Sequence, residues 1–248
     1  MNIKEIFEAK LQEAGVKFSK IEDELYQVEI DGDSREICIT NLIKNVTRDQ
    51  DPTTIERFVE NITQSFPDLP SWNEAKSGLY LSLEPTNEPE NCVYEDLSKA
   101  CQVMLCLFFE KQNQIRFITH SDLEEWNINK DEAWNIAAAN LEKIMENTSI
   151  NFEDINGDLL GMVEAHEPYK ASLILTQSLR EKIDDKLGAA LAVAPARDFV
   201  YVVSKSSSLI NKLGAVVKDE FNNSGYPISP EVWDLSETPI KAIGAFPV

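Results

Sequence analysis

Arg197 and Asp198 stand side by side in a four-residue connection, Pro195-Ala196-Arg197-Asp198, between the apolar runs Ala189–Ala194 and Phe199–Val203. A guanidinium and a carboxylate held at the tip of a rigid strand pair suit recognition of a carboxylate or of a partner's backbone. The plainer use is that Asp198 caps the turn while Arg197 is solvated or bridged to a neighbouring acid. Trp126 is a second candidate, because a large ring with a polar N–H can anchor a partner. With Trp134 it flanks the start of a long helix, where such rings usually fill the gap between helix and sheet. Asn140 lies mid-helix in an alanine-rich stripe, where its amide is placed to bond a neighbouring loop.

Other residue types with chemical potential do not assemble into motifs. Cys38, Cys92, Cys101 and Cys106 contain no CxxC pair, and the chain has two histidines, His120 and His166. That combination argues against structural zinc and for reduced thiols in a core. His166-Glu167 opens like a zinc-protease motif, but Lys170 stands where the second histidine is needed. Asp154-Ile155-Asn156-Gly157-Asp158 opens like a calcium loop. The sixth and twelfth positions counted from Asp154 are Leu159 and Ala165, where that loop needs Gly and an acid. No Gly-x-Ser-x-Gly elbow and no glycine-rich phosphate loop occurs, and Ser206-Ser207-Ser208 reads as helix capping. The sequence therefore assigns no catalytic residue, no metal and no cofactor. A Cys–His pairing in space stays open.

The candidates must be positioned by the elements around them. The two apolar runs read as a buried β-hairpin. Ala190, Ala192 and Ala194 line one face and Leu191 and Val193 the other, since side chains alternate along a strand. Leu209, Leu213, Val216 and Val217 recur at helical spacing from about Ser207 to Asn222, predicting a helix that folds back over the hairpin. Earlier, Asn2–Ala14 is an amphipathic helix, and Leu25–Ile30 and Arg35–Ile39 form a hairpin around Asp31-Gly32-Asp33. Helices follow over Asn41–Arg48 and Pro52–Phe66, the latter with Asp51 as N-cap.

Pro67–Pro89, with one short strand at Leu79–Leu83, marks a boundary or a long packed loop. Val103–Phe109 pairs with Gln114–Thr119, and a short turn of helix follows at Ser121–Trp126. Asn129–Asn147 is the longest helix, with Ala133, Ala137, Leu141 and Ile144 inward and Asn129 and Glu132 spaced as a capping box. Phe152–Ile155 and Leu159–Val163 flank Asn156-Gly157, the best hairpin turn in the chain. A helix runs from Pro168 through Leu175 and Leu179 to Ile183. The expected fold class is α+β: an antiparallel sheet built from successive β-hairpins, each followed by a helix, with helices mainly on one face. The expected domains are 1–66 (helix, hairpin, helices), a Pro-rich connection 67–91, and a hairpin–helix domain 92–248, or else one continuous domain.

Composition bounds the partners. A formal charge of −20, spread along the chain, opposes binding to nucleic-acid phosphates and anionic membranes. Hydrophobic residues make up 43%, so a packed core is expected and not disorder. The charged start Met1-Asn2-Ile3-Lys4-Glu5 and the lack of a membrane-length apolar run point to the cytoplasm.

The order and spacing of these pieces resemble the YtpQ-like group of uncharacterised bacterial proteins. The similar pieces are the Asp31-Gly32 hairpin running into Asn41-Leu42, and Ile115-Arg116-Phe117 before Trp126. Ala138 through Asn140-Leu141, Ala171-Ser172, Pro195-Ala196-Arg197-Asp198 and Pro227-Ile228-Ser229 complete the series. The resemblance implies a bacterial, cytosolic α+β protein and carries no activity with it. Where the group's pattern has a Gly-Asp pair before the Ala171 helix, this chain has Ala165-His166-Glu167-Pro168. The reading favours a non-enzymatic protein-binding, adaptor or immunity-type protein, with the binding candidates Arg197, Asp198, Trp126 and Asn140. A small-molecule hydrolase with a cleft near the Pro-rich segment, using an acid or the Cys101 or Cys106 thiol, is the alternative. An acidic nucleic-acid mimic is third. A protein partner is expected, with no nucleic acid and no membrane, and the oligomeric state is left open.

Overall fold

Residues 2–30, 32–64, 67–86, 91–165 and 168–248 are described by a computed structural model. His166 and Glu167 of the incomplete zinc motif, Asp31 of the first hairpin turn, Phe66 and Pro89 lie outside the described residues. The chain separates into a smaller unit, Met1–Asp68 with Phe109–Gln114 and Asn223–Tyr226, and a larger one. The larger unit comprises Leu69–Phe108, Ile115–Asn222 and Pro227–Val248. The fold is α+β, with mostly antiparallel strands in open sheets.

In the smaller unit, α1 (Ile3–Glu13) leads into β1 (Lys17–Lys20), β2 (Leu25–Ile30) and β3 (Asp33–Cys38), followed by α2 (Thr40–Asp49) and α3 (Thr53–Thr63). β2 is the central strand, antiparallel to both neighbours. Its alternation puts Tyr26, Val28 and Ile30 against Phe7 and Leu11 of α1, Leu42 and Val46 of α2, and Ile55 and Val59 of α3. Tyr26 keeps its hydroxyl satisfied by donating to Glu8 Oε1 at 2.8 Å. Asp51 accepts from Thr53 N at 2.9 Å and so caps α3. β1 has no periodic apolar signal; pairing with β2 is what makes it a strand.

The larger unit carries, apart from the end residues Phe109, Gln114 and Asn223 of three elements, α4 (Trp72–Ala75), β4 (Leu79–Pro85), β5 (Tyr94–Asp96), β6 (Cys101–Phe109), β7 (Gln114–Phe117), α5 (His120–Trp126) and α6 (Lys130–Glu146). There follow β8 (Ser149–Ile155), β9 (Asp158–Glu164), a 3₁₀ turn (Ala171–Leu175), α7 (Gln177–Leu187), β10 (Ala190–Val193) and β11 (Tyr201–Ser204). A second 3₁₀ turn (Ser208–Lys212), α8 (Gly214–Asn223), β12 (Glu231–Asp234) and β13 (Lys241–Ala245) complete the chain.

One sheet has the order β13-β12-β10-β11-β9-β8, antiparallel throughout. A second has β6 between β4 and β5, with β7 also paired to β6. The hairpin β10–β11 lies at the centre of the six-stranded sheet, as its apolar runs require. Leu191, Val193 and Val203 pack with Leu209, Leu213 and Val217 from the trailing helical segment. Each such burial stabilises by roughly 1.5–3 kcal/mol. The alternate face of β10, with Ala190 and Ala192, is buried as well, and α7 packs on β10 and β9.

The structure departs from the periodic pattern in two helices. The helix expected from Pro168 to Ile183 is broken at Thr176, whose backbone is extended and whose side chain accepts from Leu179 N, starting α7 afresh. The trailing helix likewise opens as a 3₁₀ turn capped by Ser207 before α8 begins at Gly214. In α6, Met145 and not Ile144 is the fully buried residue of the last turn. Asn156 and Gly157 both have positive φ (58° and 91°), the conformation of a tight primed hairpin turn. Gly161 of β9 also has a steric reason: a Cβ there would lie 2.6 Å from Val202 Cγ2 and 3.1 Å from the Phe152 ring. Among the described residues no helix is long and apolar enough to cross a membrane.

Helix ends in this unit are closed by distant side chains. Glu142 of α6 accepts from Gln177 N (2.6 Å) and Ser178 N (2.9 Å) at the start of α7. Lys182 donates to Glu146 O (2.8 Å) and Thr148 O (2.7 Å) at the end of α6. Each charge opposes the local helix dipole. Burial acts to raise the Glu142 pKa, but the bonds from Ser178 and Gln177 outweigh it and hold it below the ordinary value. A depressed carboxyl stabilises the fold above its unfolded pKa of about 4.3, and that contribution is lost as pH falls through the folded pKa. Glu142→Gln is therefore expected to lower stability by about 1 kcal/mol at neutral pH. The gap should close in acid, which urea denaturation of both proteins at neutral and acid pH checks.

Candidate functional site

β4 reads Leu79-Tyr80-Leu81-Ser82-Leu83-Glu84, so leucines alternate with polar side chains. In register with β6, Tyr80 faces Cys106, Ser82 faces Met104 and Glu84 faces Gln102. One face of the sheet is thus leucine-rich and packs toward α6, while the other carries Tyr80, Ser82, Glu84, Gln102 and Cys106. All five are buried, Tyr80 to 1% and Glu84 to 6% exposure. A buried carboxylate requires a partner. Arg197 supplies it from the tip of the β10–β11 hairpin: one terminal amino group, Nη2, bridges Glu84 Oε1 and Oε2 at 2.8 Å each. Ser82 donates to Glu84 Oε1 at 2.6 Å.

The tip that presents Arg197 is itself fixed. Arg197 O accepts from Ala171 N (3.1 Å), Pro195 O accepts from Ile228 N (2.8 Å), and Phe199 N donates back to Ala196 O (3.1 Å). Ala196 forms a bridge with Pro227. Beside the ion pair, the Tyr80 ring meets Tyr169 edge to face at 4.9 Å, and Tyr169 meets Phe108 at 5.7 Å. The Tyr80 hydroxyl adjoins the Cys106 thiol. Burial, with smaller contributions from Cys106 and Glu84, raises its pKa well above the ordinary tyrosine range. Burial and the Glu84 charge push the Cys106 thiol far up, and burial pushes Cys101 up to about 12.

Arg197 and Asp198 share one tip, Asp198 being half-exposed there. Trp126 and Asn140 are not part of this cluster. Trp126 is 9% exposed, donates from Nε1 to Pro70 O at 2.8 Å and stacks at 5.4 Å on Trp72. Asn140 donates from Nδ2 to Lys76 O and Leu79 O, both at 2.9 Å, holding the end of β4 opposite Glu84. Sequence reasoning did not find Glu84, Ser82 or Tyr80. The available signal was the strict leucine/polar alternation from Leu79 to Glu84, inside a segment read mainly for its prolines.

Chemically, Glu84 is bound on both oxygens and the two buried thiols are held protonated. The arrangement suits a structural clamp between the hairpin tip and the polar face of the second sheet. Among the described residues no group of three or more His, Cys, Asp or Glu is arranged to hold a metal ion. Compared with protein-family models, curated proteins and solved structures, the chain matches none.

Removing one partner of a buried ion pair strands the other charge, at a cost of about 3–5 kcal/mol. Arg197→Met is expected to show that loss in urea denaturation. Arg197→Met combined with Glu84→Leu should recover most of it, because the second change removes the stranded carboxylate. Additive losses in the double variant would mean that the two residues do not act as a pair.

Proposed function

We propose that this chain is a non-enzymatic binding protein of the bacterial cytoplasm, an adaptor or immunity-type partner, and that it belongs with the YtpQ-like group it resembles. One observation carries the reading: the chemically capable groups gathered in the larger unit are already engaged with one another. Glu84 is held by Arg197 on both oxygens and by Ser82 on one of them, so its carboxylate is committed to contacts within the chain. Cys106 and Cys101 are protonated at neutral pH, and the thiolate is the nucleophile. The hydrolase reading is weakened at the same two points.

A net −20 steers toward basic partners and makes association salt-dependent. Affinity capture with the full chain at low salt should recover a stoichiometric protein partner, and raising the salt should release it. Recovery of none would remove the binding reading.

The thiols give an independent check. Cys38 is exposed while Cys101 and Cys106 are buried. A disulfide reagent at neutral pH should label Cys38 in the native chain and reach Cys101 and Cys106 only on unfolding. Fast native labelling of Cys101 or Cys106 would restore the hydrolase alternative.

A further inference from the structure

A sheet edge offers unpaired backbone groups to any extended chain, so proteins close or interrupt their edges. In the larger unit, β4 is covered on its outer side, where Leu83 N donates to Ser172 Oγ at 2.9 Å and Asn140 bonds Leu79 O. Along β13, the pairing with β12 shifts register between Val232 and Trp233. β5 and β7 are 3 and 4 residues long.

β8 has none of these devices. It is 7 residues long, lies last in the six-stranded order, and pairs residue for residue with β9 from Ser149↔Glu164 to Ile155↔Asp158. It contains no Pro, no Gly and no bulge. Its outward groups can be assigned. Val163, opposite Ile150, turns its N–H toward Val200 O on the β11 side at 3.4 Å. By the alternation of an antiparallel ladder, Ile150, Phe152 and Asp154 then direct their amides and carbonyls away from β9. Among the described residues no segment or side chain bonds those groups.

The side chains along the edge differ by face. Ile150 and Phe152 are half-buried on one face, with the Lys186 ammonium 4.0 Å from the centre of the Phe152 ring. The other face carries exposed Ser149, Asn151 and Glu153, and it is acidic. Glu153, Glu164 of β9 and Glu220 of α8 all act electrostatically on the Tyr201 hydroxyl.

We propose that the β8 edge accepts an extended segment of a partner protein as a further strand, with apolar residues alternating with Lys or Arg. The apolar positions lie against Ile150 and Phe152, the basic ones against Glu153 and Glu164, and the outward amides and carbonyls supply the backbone bonds. A second copy of this chain is the poorer occupant, because β8 against β8 brings Glu153 and Asp154 of two chains together, each chain at net −20. The inference rests on the reading of the chain as a binding protein and names the class of partner.

The test uses the full chain, isotope-labelled for amide exchange, and two capped peptides alternating valine with lysine or valine with glutamate. The lysine peptide should protect the amides of Ile150, Phe152 and Asp154 and leave those of Lys241–Ala245 unchanged, and the glutamate peptide should do neither. Ile150→Pro removes an outward donor that β9 does not use, so the fold is retained. It should weaken lysine-peptide binding by about ten-fold, the weight of one lost hydrogen bond. Glu153→Lys, a surface change, should weaken it similarly. Equal binding by these variants, protection elsewhere or no binding overturns the inference. So does protection that rises with protein concentration without peptide, which would assign the edge to a second copy. In the low-salt capture, a partner held equally by wild type and Ile150→Pro removes the edge but leaves the binding reading standing.

Discussion

The larger unit depends on one contact, the bridge from Arg197 to Glu84, made between residues 113 positions apart. Neither group tolerates its surroundings alone: their side chains are 15% and 8% exposed, and an ionised group so removed from water is costly unless paired. The constraint therefore runs outward from the pair. β4 must be in register with β6 so that Glu84 lies on the polar face, because a slip of one residue would turn it into the leucines. The hairpin tip must stop at a fixed height, which the bonds to Ala171, Ile228 and Ala196 enforce. Such a pair adds little net stability over a well-packed apolar substitute. Its value lies in making the wrong register expensive.

How much of this the sequence disclosed follows the range of the forces involved. The β10–β11 hairpin, the Asn156-Gly157 turn, the Asp51 cap and the α6 stripe were all legible, because each is set by residues within a few positions of one another. β12, with 4 residues, became a strand through pairing with the distant β10, and β13, with 5, through pairing with β12 in turn. Thr176 was hidden for a related reason. Its neighbours carry helical periodicity on both sides, and Glu142, 35 positions before Gln177, takes the N–H groups that the break exposes. At the candidate site, half was visible: Arg197 was marked by its place on an apolar hairpin. Glu84 was not, since nothing local tells a strand acid that faces a buried guanidinium from one that faces water.

Trp126 and Asn140 illustrate the same limit from the other side. Each has the residue type that partners often recognise, yet each spends its polar atom within the chain, on Pro70 O and on Lys76 O and Leu79 O. The acceptors lie in the proline-containing stretch ahead of β4 and at its first residue, Leu79. Tied down at Pro70 and Leu79, that stretch delivers Tyr80, Ser82 and Glu84 in phase, so two side chains that look like surface anchors instead fix the strand on which the ion pair stands.

Satisfaction of polar groups at long range is the common thread, and it makes β8 the exception. Ser172 and Asn140 close one sheet edge, and Glu142 and Lys182 close two helix ends, while among the described residues nothing bonds the outward backbone groups of Ile150, Phe152 and Asp154. Acids on an open edge oppose pairing with an identical strand, because like charges placed opposite one another are destabilising. They oppose a basic strand not at all. On the proposed docking at β8, the acids that oppose pairing of two copies of this acidic chain are the same ones that favour a basic strand, so one pattern of charge would serve both ends.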